Sequence, residues 1–154
     1  FADTSGPPEL PKDPWMSFRI GSSSTSRYTT ERGGIKHELI QTATLMEKAK
    51  QGWKVEYTTE QNGAVVSKSV VEWPAGKDFY EEFEKGASGR ETITVGGKRY
   101  ACTWTKYKYK QGLDYQLKVW TCPSIVGGVV KSEGSLNSGG VTTLTTELIE
   151  SKRR

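Results

Sequence analysis

Lys98-Arg99-Tyr100-Ala101-Cys102-Thr103-Trp104-Thr105-Lys106-Tyr107-Lys108-Tyr109-Lys110-Gln111-Gly112-Leu113-Asp114-Tyr115-Gln116-Leu117-Lys118-Val119-Trp120-Thr121-Cys122 is the stretch on which the architecture turns. Aromatic and β-branched residues alternate with others on both sides of Gly112, a period of two that marks paired strands. With Gln111-Gly112-Leu113 as the loop, strands 98–109 and 114–122 form a hairpin in which Cys102 faces Cys122 and Trp104 faces Trp120. Side chains alternate across a strand, so one face carries Tyr100, Cys102, Trp104, Trp120 and Cys122, then Lys106, Lys108, Lys110 and Lys118 toward the turn. The other carries Tyr107, Tyr109, Tyr115, Leu117 and Val119. Apolar groups on both faces need cover on both, from a helix and loops, from a ligand held between sheet and helix, or from a partner.

The same alternation extends in both directions. Residues 15–27, 35–46, 53–60 and 65–73 read as strands, most clearly where Trp53, Val55 and Tyr57 alternate with Lys54, Glu56 and Thr58. Further strands fall at 91–95, 129–136 and 141–149. The breaks between them carry Gly33-Gly34, Asn62-Gly63, Gly96-Gly97, Gly127-Gly128 and Gly139-Gly140. A two-residue loop at Asn62-Gly63 sets Trp53 and Val55 on the face of Glu72 and Lys68. A three-residue loop aligns them with Val71 and Ser69 instead, and this is the register expected. Between the two halves Phe79 and Phe83 stand four apart, beside Tyr80 and the polar Glu81, Glu82 and Glu84, which predicts a short amphipathic helix ended by Gly86. The expected fold is mainly β: a single curved antiparallel sheet or half-open barrel of about nine strands, with one short helix between strands four and five. Residues 1–14, with Pro7, Pro8, Pro11 and Pro14, read as an extended tether, 15–151 as one domain and 152–154 as a basic tail.

Composition narrows the function. The chain has 154 residues, 34% hydrophobic and 26% charged, which suits one domain, and its 10% aromatic content argues against disorder. No apolar run approaches the roughly 18 residues that cross a bilayer. The 22 Lys/Arg are interleaved with 18 Asp/Glu, for a net charge of +4, and form a solvated surface. Strand pleating sends the lysines and tyrosines of 106–110 to opposite faces, so this segment is no stacking platform and no nucleic-acid partner is expected. His37 alternates with Ile35 and Leu39 without a nucleophile in view, and Glu81, Glu82 and Glu84 suit a solvated helix face. A lone His and two thiols do not fill a metal site. The sequence thus predicts a non-enzyme with no metal and no cofactor.

Facing cysteines at a non-hydrogen-bonded position have Cα atoms about 4.5 Å apart, near the lower edge of what a disulfide tolerates. A Cys102–Cys122 bridge is therefore allowed and would imply an oxidising compartment, with two reduced thiols as the alternative. The chain starts at Phe1 without Met or an apolar leader. Removal of something upstream, and export to the periplasm, cell envelope or exterior, are expected.

Glu91-Thr92-Ile93-Thr94-Val95, Tyr100-Ala101-Cys102-Thr103, Lys118-Val119-Trp120, Gly127-Gly128-Val129-Val130-Lys131-Ser132-Glu133 and Glu147-Leu148-Ile149-Glu150 together resemble the exported bacterial β-domains loosely grouped as TapB-like. Thr42-Ala43-Thr44-Leu45-Met46-Glu47 fits the same pattern. The chain departs from it at Val126-Gly127-Gly128, where Pro-Gly-Gly is expected, and in having Cys122. The resemblance implies a half-open barrel similar to lipoprotein carriers, holding an acyl chain or an exposed peptide, and brings no enzymatic activity with it. The leading expectation is a monomeric exported domain that binds a lipid or other apolar ligand between sheet and helix, through Phe79, Phe83, Trp104, Trp120, Tyr107, Tyr115 and Leu117. The alternative is a structural or protein-interaction module of the cell envelope with no small-molecule ligand.

Overall fold

The computed structural model describes residues 14–76 and 80–154. It is one antiparallel sheet of nine strands: β1 (Ser23–Arg32), β2 (Ile35–Ala49), β3 (Gly52–Gln61), β4 (Ala64–Pro74), β5 (Phe83–Val95), β6 (Lys98–Tyr109), β7 (Asp114–Thr121), β8 (Val129–Asn137) and β9 (Val141–Lys152). Their order is β4-β3-β2-β1-β9-β8-β7-β6-β5, so two meanders join where β9 returns beside β1. The sheet stays open, with β4 and β5 as its edges.

Connectivity forces the sheet to curl. Laid flat, nine strands about 4.8 Å apart would separate β4 from β5 by roughly 38 Å. The connection 75–82 reaches about 32 Å at full stretch, and it must also climb from the last residue of β4 to the far end of β5. The curl brings β5 within 8 Å of β9, although three strands lie between them in the sheet.

The β3–β4 hairpin shows how the local register is set. Its turn is the two-residue Asn62-Gly63, with φ of 53° and 80°, a left-handed pair whose twist suits a hairpin. Val55 nevertheless pairs with Val71 and Tyr57 with Ser69, the register that the apolar pattern favours. Val66 reconciles the two: Glu60 pairs with Val65 but Thr59 with Ser67, so Val66 is a bulge that supplies the extra residue expected in the loop.

Two sequence expectations are corrected. Phe83 opens strand β5, paired with Tyr109, and no helix occurs among the described residues. A four-residue ring spacing is compatible with a helix, but Phe83 finds its ring partners on β6 and β7, and tertiary pairing overrides the local pattern. Phe79 and residues 1–13 of the expected tether lie outside the described residues. The first strand begins at Ser23; residues 14–22 turn, with the Phe18 N–H donating to the Trp15 carbonyl at 3.2 Å and Gly21 at φ 92°.

That turning segment closes the core. Trp15 and Phe18 pack with Ala43, Leu45, Trp53, Val55 and Val126, flanked by Met16, Tyr57 and Trp73. Leu45 and Val55 are fully buried, and burial of this kind is worth roughly 1.5–3 kcal/mol per side chain. The Leu45 backbone clamps the segment, accepting from Gly21 N–H at 2.8 Å and donating to the Ser22 carbonyl at 2.9 Å. A second cluster joins Val95, Cys102, Trp120, Ile125, Val130 and Leu148. Neighbours Ile125 and Val126 enter different clusters, so the loop after β7 stitches them together. The basic tail is also tied down: Arg154 N–H donates to Ser22 Oγ at 3.0 Å and the Arg153 guanidinium lies 5.3 Å from the Phe18 ring centroid.

Candidate functional site

The β6–β7 hairpin takes the expected register, with Trp104 opposite Trp120, Lys106 opposite Lys118 and Tyr107 opposite Leu117. Directly opposed residues share a face, so the hairpin presents two different surfaces.

The tryptophan face is satisfied by its own charges. Two lysines placed directly opposite each other repel, yet Lys118 Nζ lies 4.6 Å from the Trp104 ring centroid and 4.5 Å from that of Trp120. Lys106 sits 5.9 Å over Trp104 and Lys131 5.4 Å over Trp120. The ring faces attract these cations, and Trp120 Nε1 donates to Glu91 Oε2 at 2.8 Å. Trp104 lies across Gly89, where a Cβ would come within 2.9 Å of its ring.

The tyrosine face gathers a corner of rings. Phe83 meets Tyr80 and Tyr107 at 6.2 Å, Tyr109 at 5.4 Å and Tyr115 at 5.7 Å, all edge-on, and Tyr80 stacks on Tyr107 at 4.4 Å. Such pairs are favoured by the ring quadrupoles. The end of the connection holds the corner, with Lys110 N–H donating to the Glu82 carbonyl at 3.0 Å and Lys110 Nζ to that of Glu81 at 3.1 Å. Tyr115 rests on Gly134, where a Cβ would sit 3.0 Å from its Cε1, and burial pushes the Tyr115 hydroxyl pKa up.

Of the candidate ligand residues, Phe83, Tyr107 and Tyr115 come together, with half-buried Leu117 opposite Tyr107. Trp104 and Trp120 lie on the opposite face, so the set does not line one cavity. Tyr109 and Tyr80 belong to the corner as well. The hairpin pattern placed Tyr109 on the correct face, whereas the expected helix concealed Tyr80. Among the described residues, open grooves lie elsewhere: one of about 420 Å³ between Arg90, Glu91, Cys102 and Pro123, another of about 440 Å³ between Glu47, Lys54, Glu72 and Trp73. His37 is exposed opposite Thr30 near the first hairpin turn.

The disulfide is corrected: Cys102 and Cys122 are free thiols. The β6–β7 ladder ends at Thr103–Thr121, one pair short of the cysteines. Cys122 already belongs to the turn, its N–H donating to the Gly128 carbonyl at 2.8 Å and its Sγ 3.1 Å from Ser124 Oγ. Cys102 is buried opposite Glu91, and burial, with Cys122 and Glu91 nearby, pushes its thiol pKa up to about 11. The unfolded thiol, with a pKa of 9.0, ionises before the folded one, so this contribution to stability is complete below pH 9 and is lost as pH rises toward 11. A denaturation series across that window is expected to show falling stability, with a shallower fall in Cys102→Ala; equal slopes would refute the assignment.

No family model and no curated protein sequence matches the chain. Its fold is similar to that of a solved Bacteroides fragilis protein whose name marks it as a candidate exported protein with a YmcC-like fold. The TM-score is 0.56 at 13% identity, over 88% of this chain and 97% of the other. The likeness thus lies with a YmcC-like β-fold and not specifically with TapB-like domains.

Proposed function

We propose that the chain is a non-enzymatic, exported β-domain that acts as a protein-interaction module through its aromatic corner. One observation carries this reading: Tyr80, Phe83, Tyr107, Tyr109 and Tyr115 form a continuous ring cluster yet remain only half-buried. The first core cluster, by contrast, is covered by the chain's own Trp15, Phe18 and Val126. Tyrosine combines a large apolar area, few rotamers and a polar tip, which is why it is enriched where proteins meet. An acyl carrier would be served better by an enclosed apolar cavity of roughly 300–1,000 Å³. The grooves formed by the described residues are open and edged by Arg90, Glu91, Glu47, Lys54 and Glu72. Export is supported by the name of the Bacteroides fragilis fold relative.

A photo-crosslinking residue in place of Tyr109 tests the reading in the source cells. The expected result is a protein adduct of defined mass in the extracytoplasmic fraction, lost in Phe83→Ala, together with a flat fluorescent fatty-acid titration at about 10–50 µM protein. Saturable fatty-acid binding that Phe83→Ala abolishes, without any adduct, would overturn it in favour of acyl-chain binding.

A further inference from the structure

We propose that the β4 edge pairs with the β4 edge of a second copy of this chain, antiparallel, about a two-fold axis at Val70. The seam is independent of the aromatic corner, which belongs to the opposite end of the sheet, and it departs from the monomer expected from sequence.

The two edges differ in kind. β5 is interrupted by a bulge between Lys85 and Ser88 and by Gly86 and Gly89, features that spoil an edge as a template. β4 is largely exposed along its length, with Val65, Val66 and Val70 all more than half exposed. No described strand pairs with the outer side of β4, and an exposed apolar edge of this sort invites another strand.

The register follows from where β4 is regular. Val66 is a bulge and Pro74 has no N–H to donate, so the uninterrupted stretch is 67–73, centred on Val70. Two-fold pairing must keep like faces together, so a residue on one face meets another on that face. Centred on Val70, Lys68 of each copy stands opposite Glu72 of the other, twice across the axis, while Val70 meets its own mate. Shifting the axis to Lys68 confronts two lysines, and shifting it to Glu72 confronts two glutamates.

The charges already present within one chain complete the pattern. Lys54 lies 3.3 Å from Glu72 and also 3.3 Å from Glu47, and Lys68 lies 3.8 Å from Glu56. Across the seam these become one alternating row, Glu47, Lys54 and Glu72 of one copy followed by Lys68 and Glu56 of the second. Opposite charges directly across a ladder favour pairing and like charges oppose it. Charge complementarity about a single axis therefore selects a second copy of this chain as the occupant.

Sedimentation of the full chain between about 1 and 500 µM tests the seam. The expected result is a concentration-dependent dimer, weakened about tenfold or more in Lys68→Glu and likewise in Glu72→Lys. Mixing these two variants is expected to restore dimerisation, because each mixed pair regains both Lys–Glu contacts. Circular dichroism of each variant alone checks that it is folded. Val70→Cys is expected to give a covalent dimer on mild oxidation where the parent chain gives none, since the two Cα atoms would lie about 4.5–5.5 Å apart. A monomer throughout the range, a dimer indifferent to both reversals, or a mixture no tighter than either variant alone would overturn the proposal.

Discussion

Gly52→Ala is expected to cost about 3–5 kcal/mol, a large part of a typical domain's stability. A Cβ at this position would collide with the Trp73 carbonyl oxygen and lie 3.1 Å from Pro74 Cα. Both obstacles are backbone, so no side chain can swing aside and the start of β3 must part from the end of β4. The displacement would strain the bond from Ala75 N–H to the Gln51 carbonyl, 2.8 Å long, and shift Trp53, which is 3% exposed. Gly63→Ala is the control. It has a φ of +80° but open space around it, so it should lose only about 1–2 kcal/mol of conformational preference. Urea midpoints at unchanged m-value measure both. Equal losses would show that β3 and β4 do not approach so closely at Gly52.

Trp15→Ala is expected to lose about 3–5 kcal/mol, the usual range for a buried Trp, and to lower the melting temperature by roughly 10 °C. The ring lies in the first core cluster beside Leu45, Val55 and Val126, and it rests on Gly127, where a Cβ would sit 2.9 Å from Cζ2. The contact can be isolated with a double-mutant cycle. Gly127→Ala should be costly in the parent chain, through both its clash and its φ of +77°, and cheaper once Trp15 is Ala. Strict additivity would remove Trp15 from its place over Gly127. A loss near zero for Trp15→Ala alone would mean that residues 14–22 do not close the core.

Much of the strand architecture was legible because it is written in nearest neighbours. Alternation located most of the nine strands, and glycine pairs located most of the turns. The register of the 98–122 hairpin followed from its loop, as the Trp104–Trp120 pair shows. The β3–β4 register was also correct, although a bulge at Val66 supplied what a longer loop was expected to supply. Apolar matching across the hairpin outweighs the detail of how the extra residue is stored.

The misreadings share one cause. The spacing of Phe83 from Phe79 suits a helix, while Tyr107, Tyr109 and Tyr115, its actual neighbours, are distant in sequence. A Cys102–Cys122 bridge, allowed beside two reduced thiols, requires the ladder to run one step past Thr103–Thr121, where the chain has already turned to meet Gly128. Trp15 and Phe18 fit a strand by their local pattern, but they lie before β1 and pack in the first core cluster. Local sequence alone thus set the strands, their turns and which side chains share a face, because a period of two and a left-handed turn are properties of a few consecutive residues. Which face is covered, by which segment, and where the rings are left half open was settled only when β9 returned to β1 and the connection 75–82 curled the sheet, since burial depends on residues that meet from far apart in the chain.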